Sequence, residues 1–437
     1  MTEMSAGSGR RSISSRWLGL KEAILATAQP DGIRPRARRW LIAVFTLGFL
    51  VSVMALLVDH MLTMPKGHYQ WNDSYVYLRA ASNFIDHPTH LYDVAHVQVV
   101  RSWALRAFVY PPAGLLPSLP LVPIVRMFGM PVAASVWSLI DTVALFAGVI
   151  LIGRRLRLSW LVLSGAVVLI SLSQPVRWEI GSGQVNGLVL LMLMLSVLRM
   201  PRGDAGVLMG LALAIKPVTI FVLLVPVLRR QPAIAAVALV TLVLANVPFV
   251  PLIGIGAIMF YLGRVLPFFG SFVLHDPNNI SLPNVLQTYF GGGQLPRHGL
   301  FGTSVPRSIA SVALLWTTRA SVIVVTLRAA IDRRLDVAIA MALAMATVPF
   351  LSATAWPHYL LYMLPMALAL LASKQLWPRV GGALSLSALT WQGRTDGLWV
   401  GIVILWITAV LFVAGELGWR IPRPLKAVGT AGVSPGV

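Results

Sequence analysis

Long apolar stretches alternate with short polar connections along most of this chain. The first stretch, residues 40–58, contains no charged residue and can cross a hydrocarbon core of about 30 Å at about 1.5 Å per residue. Backbone groups in lipid must be hydrogen-bonded within the spanning segment, which favours helices for such stretches. The pattern therefore predicts an all-α polytopic membrane protein with about 10–12 membrane segments.

Basic residues concentrate in the connections between the apolar stretches. Five of these connections are the ranges 153–159, 199–204, 229–230, 328–336 and 373–379. Because cytoplasmic loops carry an excess of Lys and Arg, we place all five in the cytoplasm. The Arg-rich residues 1–39 are predicted to be a disordered cytoplasmic tail. One transmembrane domain, residues 40–420, and a C-terminal tail, residues 421–437, complete the expected organisation.

Residues 205–228 conflict with a simple count of crossings. They number 24 between two basic connections, too few for two full spans of about 20 residues each. A re-entrant hairpin broken at Lys216-Pro217 resolves the conflict, with the lysine facing protein or a watery cavity. The alternative is one long tilted span that puts Arg229 and Arg230 outside.

This topology gathers the unusual polar residues on the extracytoplasmic face. The outside segments are expected at 59–130, 175–186, 253–306, 352–358 and 391–397. The polar residues in these segments include Asp73, Asp86, Asp93, Glu179, Asp276, His68, His87, His90, His96, His275, His298 and His358. Such a face suits a polyhydroxylated ligand at the membrane surface. The alternative is that these residues belong to solvent-exposed loops, where polar residues need no functional explanation.

Composition agrees with the pattern and narrows the chemistry. The chain is 57% hydrophobic and 11% charged, with a mean hydropathy of +0.78, so membrane lipids surround most of it. The formal charge of +20 lies in the loops, which argues for the positive-inside rule and against a nucleic-acid partner. Cysteine is absent, which excludes disulfides, thiolate metal sites and a cysteine nucleophile.

Six sequence elements occur in a fixed order and carry a family resemblance. They are "NDSYVYLRAASNF…LYD", "FVYPPAGLLPSLPL", "RWEIGSGQVNGLVLLML", "GVLMGLALAIKPVTIFVLL", "PNNISLPN" and "ATAWPHYLLYMLP". Each is common by chance, but their order over residues 68–370 resembles glycosyltransferase family 87, actinobacterial membrane enzymes of the GT-C fold. The resemblance implies interfacial helices and extracytoplasmic loops that together form an active-site cavity.

The resemblance also implies a reaction. Family members transfer a sugar from a polyprenyl-phosphate donor to a glycolipid or polysaccharide acceptor outside the cytoplasmic membrane. Mannose is the commonest sugar among them, so we expect a mannosyltransferase; an arabinofuranosyltransferase is the alternative. The chain departs from the mannolipid enzymes at "RAFVYPP", which lacks their Pro-Phe-Thr lead-in, and at "WPHY", which has one histidine where they tend to have two.

Asp73 is the expected general base of an inverting transfer, because it occupies the position of the family's acidic residue. One carboxylate is enough, since a phosphate leaving group departs without needing a proton. The alternative is that "NDS" caps a helix that starts near Tyr75. Asn72 or Ser74 could then cap the helix while Asp73 remains the base.

Cationic groups are expected beside the departing phosphate. Lys216 in the broken hairpin is the first candidate, unless it snorkels to an interface. Arg177 and Arg264 on the outer face are alternatives that could fork onto phosphate oxygens or contact lipid headgroups. His358 resembles a family position and is expected to orient the acceptor or share the phosphate charge.

Several polar residues are expected to contact donor or acceptor. Gln184 and Asn186 in "GSGQVNG" offer amides to sugar hydroxyls, unless the glycines there only permit a tight entry into the next helix. Asn279 and Ser281 in the turn-rich "HDPNNISLPN" match a family element. Tyr110 is expected at the entrance of a cavity walled by the proline-rich residues 109–123.

Neither a metal nor another cofactor is expected, because no Asp-x-Asp pair or closed ligand cluster appears on the outer face. Two other functions stay open. A lipid or solute transporter would also have broken helices and an intramembrane lysine, although no inverted repeat is evident. A structural membrane scaffold would explain the composition alone.

Overall fold

The computed structural model describes residues 33–63, 72–95, 107–271, 273, 276, 278–290, 308–391 and 395–418. All regular structure in these ranges is helical. The α-helices are α1 (Pro35–Thr63), α2 (Asp73–Asp86), α3 (Val122–Phe128), α4 (Met130–Arg155), α5 (Trp160–Leu172), α6 (Gln174–Ser182), α7 (Asn186–Arg199), α8 (Gly203–Ile215), α9 (Leu224–Leu228), α10 (Pro232–Asn246), α11 (Val250–Ile253), α12 (Ile255–Phe260), α13 (Leu266–Ser271), α14 (Leu282–Phe290), α15 (Ile309–Ile331), α16 (Val337–Met345), α17 (Val348–Leu351), α18 (Leu364–Leu371), α19 (Leu376–Ala388) and α20 (Thr395–Glu416).

Helices of two lengths make up the membrane domain. Five are long and apolar enough to cross a membrane, and α5 with α6, bent by 56° at their junction, would make six. The other apolar helices in the described ranges are shorter. The predicted 10–12 membrane segments are reached only when some of these short helices are counted as segments.

Neighbouring helices run in shared directions, which identifies the two ends of the bundle. Gly48 of α1 packs against Val168 of α5, and Gly165 packs against Phe45, so α1 and α5 are parallel. Gly148 of α4 likewise packs against Leu190 and Leu191 of α7. The helices α1 and α5 therefore start at the end of the bundle where α4 and α7 finish.

Loops from distant parts of the sequence join at one end of the bundle, which we call the basic face (residues 153–159, 229–230 and 328–336). Arg155 forms an ion pair with Asp336 at 3.0 Å, and Arg229 donates to the carbonyl of Leu335 at 2.7 Å. A hydrogen bond from the Arg334 side chain holds the pKa of Asp332 at about 2. Three of the five predicted basic connections thus lie together.

The predicted re-entrant hairpin is present. The helices α8 and α10 are parallel, because Gly206 packs against Ile234 and Gly210 against Ala238. Between them the chain reaches Lys216, breaks there, and returns through the 3-10 helix Pro217–Leu223 and α9 to the basic face. With 13 residues, α8 is about 20 Å long, shorter than the bilayer core of about 30 Å.

A second hairpin of the same kind follows α15. It ascends from the basic face through α16 and α17, turns at residues 352–356, and returns through the 3-10 helix Pro357–Met363 and α18. The ascending α16 packs against α18, and α17 packs against the 3-10 helix. His358 therefore lies near the apex of this hairpin, as Lys216 does in the first.

The boundaries of the first helix differ from the prediction. Helix α1 covers Pro35–Thr63 rather than residues 40–58, so it takes in the end of the expected tail, because arginines near a helix end can extend into the interface. Residues 1–32 and 419–437 of the predicted tails lie outside the described residues, as do His68, His96, His275 and His298.

Candidate active site

Asp73 is the first residue of α2, and its neighbour provides the cap. The Asn72 side chain accepts a hydrogen bond from the Ser74 backbone N–H at 2.9 Å. The Asn72 amide also donates to the Gly181 carbonyl at 2.9 Å, which ties α2 to α6. The alternative that Asp73 itself caps the helix is therefore not needed, and the Asp73 side chain is directed to other partners.

Gln184 joins Asp73 to Lys216. Its Nε2 donates to Oδ2 of Asp73, and its Oε1 accepts from the Lys216 ammonium at 2.9 Å. An ammonium can only donate and a carboxylate can only accept, so the two neighbours fix which way the amide points. The structure thus brings together three residues that are far apart in the sequence.

Lys216 is buried, with 1% of its surface exposed. Its ammonium lies 4.6 Å from the Tyr359 ring centroid and 5.5 Å from that of Tyr110. Such contacts are favourable but modest, and Lys216 forms no ion pair in the described part of the chain. A buried ammonium in this position would be stabilised by a bound anion.

Aromatic rings pack around Asp73 and Lys216 and give the site rigid walls. Tyr77 of α2 stacks between Tyr110 and Trp137, with ring centroids 5.0 Å and 5.3 Å away. The Trp137 indole donates to the carbonyls of Gly183 and Gln184, both at 2.9 Å. The half-buried Tyr110, expected at a cavity entrance, is thus part of an aromatic stack beside Lys216.

Two buried acids occupy the N-terminus of α7. Glu179 accepts from the backbone N–H groups of Asn186 at 2.7 Å and Gly187 at 3.3 Å. Asp141 accepts from the backbone N–H of Leu188 at 2.9 Å. Carboxylates suit this position, because the first N–H groups of a helix lack intrahelical partners and the helix dipole is positive there.

Asn186 is engaged by protein groups on both sides of its amide. Its Nδ2 donates to Glu179 at 2.7 Å, and its Oδ1 accepts from the Tyr362 hydroxyl at 2.8 Å. These bonds give Asn186 a structural role, since they fix Glu179 and the 3-10 helix that carries His358. A sugar hydroxyl would have to displace them.

His358 is buried at 2% exposure, and neither ring nitrogen has a hydrogen-bond partner among the described residues. Its ring packs edge-on against Tyr359 at 4.9 Å. A buried imidazole without partners is costly unless something else satisfies it. A ligand with donor or acceptor groups would supply that partner.

Asn279 supports the turn before His358. Its Oδ1 accepts from the backbone N–H of Ala355 at 2.9 Å and of Ser281 at 3.0 Å. The backbone of Ile280 also donates to the Ala355 carbonyl at 2.6 Å. These contacts place Asn279 as a support for the turn, while the buried Ser281 hydroxyl has no hydrogen-bond partner in the described ranges.

The two arginines expected at the phosphate do not belong to the group formed by Asp73, Gln184 and Lys216. Arg177 is half-buried on α6, but it is two residues from Glu179 and so points to another side of that helix. Arg264 is exposed in a π-helical turn, Tyr261–Val265. Its neighbour Tyr261 stacks on Tyr92 at 5.5 Å, on the far side of the aromatic wall.

Two other acids expected on the outer face, Asp86 and Asp93, lie in contacts away from Lys216. Asp86 pairs with Arg126 at 2.6 Å, and Asp93 lies 2.6 Å from His90, both on exposed surface. In the described part of the chain, no three His, Asp or Glu side chains are arranged to hold a metal ion. Of the acids expected on the outer face, Asp73 is the one joined to the buried lysine through a single amide.

Sequence reasoning missed Asp141, Tyr359 and Tyr362. Asp141 lies within the apolar α4, and an acid in such a helix is itself a signal of a partner or a function. The two tyrosines adjoin the "WPHY" motif, but only the packing of the second hairpin against the first shows that they reach Lys216 and Asn186.

The model of glycosyltransferase family 87 matches residues 108–352, more than half of the chain. The chain belongs to glycosyltransferase family 87. It is a membrane glycosyltransferase, as the sequence resemblance indicated. The predicted all-α, polytopic fold is confirmed with it.

The family match includes Gln184, Lys216 and the second hairpin's ascending arm, whereas Asp73 and His358 lie outside it. Asp73 contacts the matched region through Gln184, and Asn279 inside that region supports the turn that precedes His358. No curated protein matches the chain as a relative. The roles of individual residues therefore rest on geometry.

Proposed function

We propose that this glycosyltransferase transfers mannose from a polyprenyl-phosphate donor to a glycolipid or polysaccharide acceptor, with inversion, and that Asp73 is the general base. The observation that carries the proposal is the placement of Asp73 and the buried Lys216 on either side of one glutamine amide. A base and a cation so close together match the acceptor end and the leaving-group end of a glycosyl transfer from a phosphate-linked donor.

At the base, the acceptor hydroxyl oxygen attacks the anomeric carbon while its proton passes to the Asp73 carboxylate. The bond between the anomeric carbon and the donor phosphate breaks, and the electron pair leaves with the phosphate. No acid is required to protonate that leaving group, in contrast to glycoside hydrolysis. A positioned base contributes about 10²- to 10⁴-fold to such a step.

At the leaving group, the phosphate changes from a diester monoanion to a more highly charged monoester. Lys216 offsets this developing charge from a fixed position with little water around it, which is where electrostatic stabilisation is strongest. His358, whose ring nitrogens lack partners among the described residues, donates to a phosphate oxygen or to the acceptor. Tyr359 lies between them and contacts both side chains.

The position of the site in the bundle supports an extracytoplasmic reaction. Lys216 and His358 lie at the apexes of hairpins that begin and end on the basic face. If that face is cytoplasmic, as the positive-inside rule predicts, the site opens to the other side. Donor and acceptor are then both lipid-anchored or envelope-bound molecules of that compartment.

Arabinofuranose is the second candidate sugar, because the chain departs from the mannolipid enzymes at "RAFVYPP" and "WPHY". The two broken hairpins would also suit a transporter that binds an anionic lipid near the membrane midplane. Both alternatives are tested by the same experiment.

The test is sugar transfer in membranes or detergent with radiolabelled polyprenyl-phosphate mannose and, separately, polyprenyl-phosphate arabinose. Wild type is compared with Asp73→Asn at equal expression, and Asp86→Asn on the exposed surface is the matched control. We expect transfer from the mannose donor that falls at least about 100-fold in Asp73→Asn and persists in Asp86→Asn.

Each other outcome has a definite meaning. Transfer from the arabinose donor alone replaces the sugar but keeps the mechanism. Unchanged transfer in Asp73→Asn would remove Asp73 as the base. Folded protein that transfers neither sugar but exchanges polyprenyl phosphate across vesicles would establish a transporter.

A further inference from the structure

Gln184 is held rigidly at the point where base and cation meet. Its side chain is buried at 2% exposure. Its backbone N–H donates to the Glu179 carbonyl at 3.2 Å, and its own carbonyl accepts from Trp137 at 2.9 Å. The preceding Gly183 has a left-handed φ of 63°, which ends α6 and aims residue 184 at the site.

The amide separates two groups that would otherwise attract each other strongly. Lys216 has a flexible four-carbon stem, and Asp73 lies across a single amide from its ammonium. In a site of low effective dielectric constant, opposite charges in direct contact attract each other far more strongly than they do in water. Without the amide, the lysine would pair directly with the aspartate.

A direct pair would harm both halves of the reaction. The carboxylate would become a weaker base, because a neighbouring cation stabilises its ionised form. The ammonium would also have to leave its new partner before it could bind a phosphate. The bridging amide gives the carboxylate and the ammonium a neutral partner on the sides that face each other, so neither charge is occupied by the other.

We propose that Gln184 is a positioning residue that keeps Asp73 and Lys216 from forming an ion pair. Its neutral amide holds the carboxylate for the acceptor hydroxyl and the ammonium for the donor phosphate. This inference rests on the proposed function, because it assumes that Asp73 is the base and that Lys216 binds phosphate. It replaces the expectation that Gln184 binds a sugar hydroxyl.

Other charged and titratable groups also face Asp73 and must be held constant in any test. Among the described residues, those that interact electrostatically with it or with Lys216 include Tyr77, Tyr110, Glu179, Asp141, His358 and Tyr359. Substitution of Gln184 alone leaves all of them in place. A change in pH dependence would then report the groups that the amide separates.

The first experiment compares Gln184→Leu and Gln184→Glu by the pH dependence of kcat/KM. In Gln184→Leu, the lysine pairs with Asp73, so the acid limb of the profile moves to lower pH and the plateau falls about tenfold or more. In Gln184→Glu, a second carboxylate faces Asp73 and disfavours its ionisation, so the acid limb moves about one unit to higher pH. Shifts in the same direction, or no shift, would overturn the inference.

The second experiment needs no catalysis and uses polyprenyl phosphate as the probe. We expect Gln184→Leu to bind it about tenfold more weakly than wild type, because Lys216 is occupied by Asp73. The double variant Gln184→Leu/Asp73→Asn removes the competing charge and should regain the binding. Equal binding by the single and double variants would contradict the inference.

The two proposals fail in different ways. If Asp73→Asn abolishes transfer but neither Gln184 variant behaves as expected, the proposed function stands and the role of Gln184 is wrong. If Asp73→Asn retains transfer, the proposed function fails and this inference fails with it.

Discussion

Asn72, and not Asp73, supplies the cap of α2: the Asn72 side chain accepts from the Ser74 backbone N–H at 2.9 Å. The same amide reaches the Gly181 carbonyl across the site. Two neighbouring residues that look alike as capping residues thus have different partners, because Asp73 accepts from Gln184 instead. This division can be tested separately from activity.

Asn72→Ala should lower stability more than Asp73→Asn does. The alanine removes a helix cap worth about 1 kcal/mol and a bond between α2 and α6, whereas the asparagine keeps the size of the aspartate. Thermal unfolding in detergent measures both variants. A larger loss in Asp73→Asn would show that Asp73 has the structural role after all.

Lys216→Met should leave the protein folded but reduce transfer by about 100-fold or more. Methionine fills a similar volume, and replacing a buried charge by an apolar group is often neutral or stabilising. The loss should include a higher KM for the donor. Kinetics with donor and acceptor varied in turn measure this effect.

Lys374→Met is the matched control, because Lys374 is an exposed lysine between α18 and α19. Its transfer rate should equal that of wild type. Full activity in Lys216→Met would show that the buried ammonium is not used for the leaving group.

Gly187→Ala and Gly181→Ala should have opposite consequences, although both glycines lie in one short motif. A Cβ at Gly187 would meet the Asp141 carbonyl at 2.3 Å, whereas a Cβ at Gly181 would meet nothing within 4 Å. We expect Gly187→Ala to lose about 1–3 kcal/mol of stability by overpacking.

Gly181→Ala is expected to be neutral or slightly stabilising, because alanine favours a helix more than glycine does. Thermal unfolding of the two variants side by side measures the difference. Equal stability would mean that α4 and α7 are free to separate at residue 187.

The local sequence was enough to predict the class of protein and the break at Lys216. Uninterrupted apolar stretches require membrane helices, because unpaired backbone groups are not tolerated in lipid. A proline inside an apolar stretch, such as Pro217 after Lys216, ends or kinks a helix that reaches it, and the basic loops identify one face of the bundle. These properties depend on neighbouring residues, so they can be read along the chain.

The division of labour among the site residues was decided only by the tertiary structure. Gln184 and Asn186 are two positions apart in one motif, yet one amide joins Asp73 to Lys216 while the other holds Glu179 and Tyr362. Composition cannot separate them, because both offer the same donors and acceptors. What separates them is the set of segments that pack against each residue: α2 and the first hairpin meet at Gln184, whereas the second hairpin reaches Asn186. Such contacts depend on packing and not on local pattern.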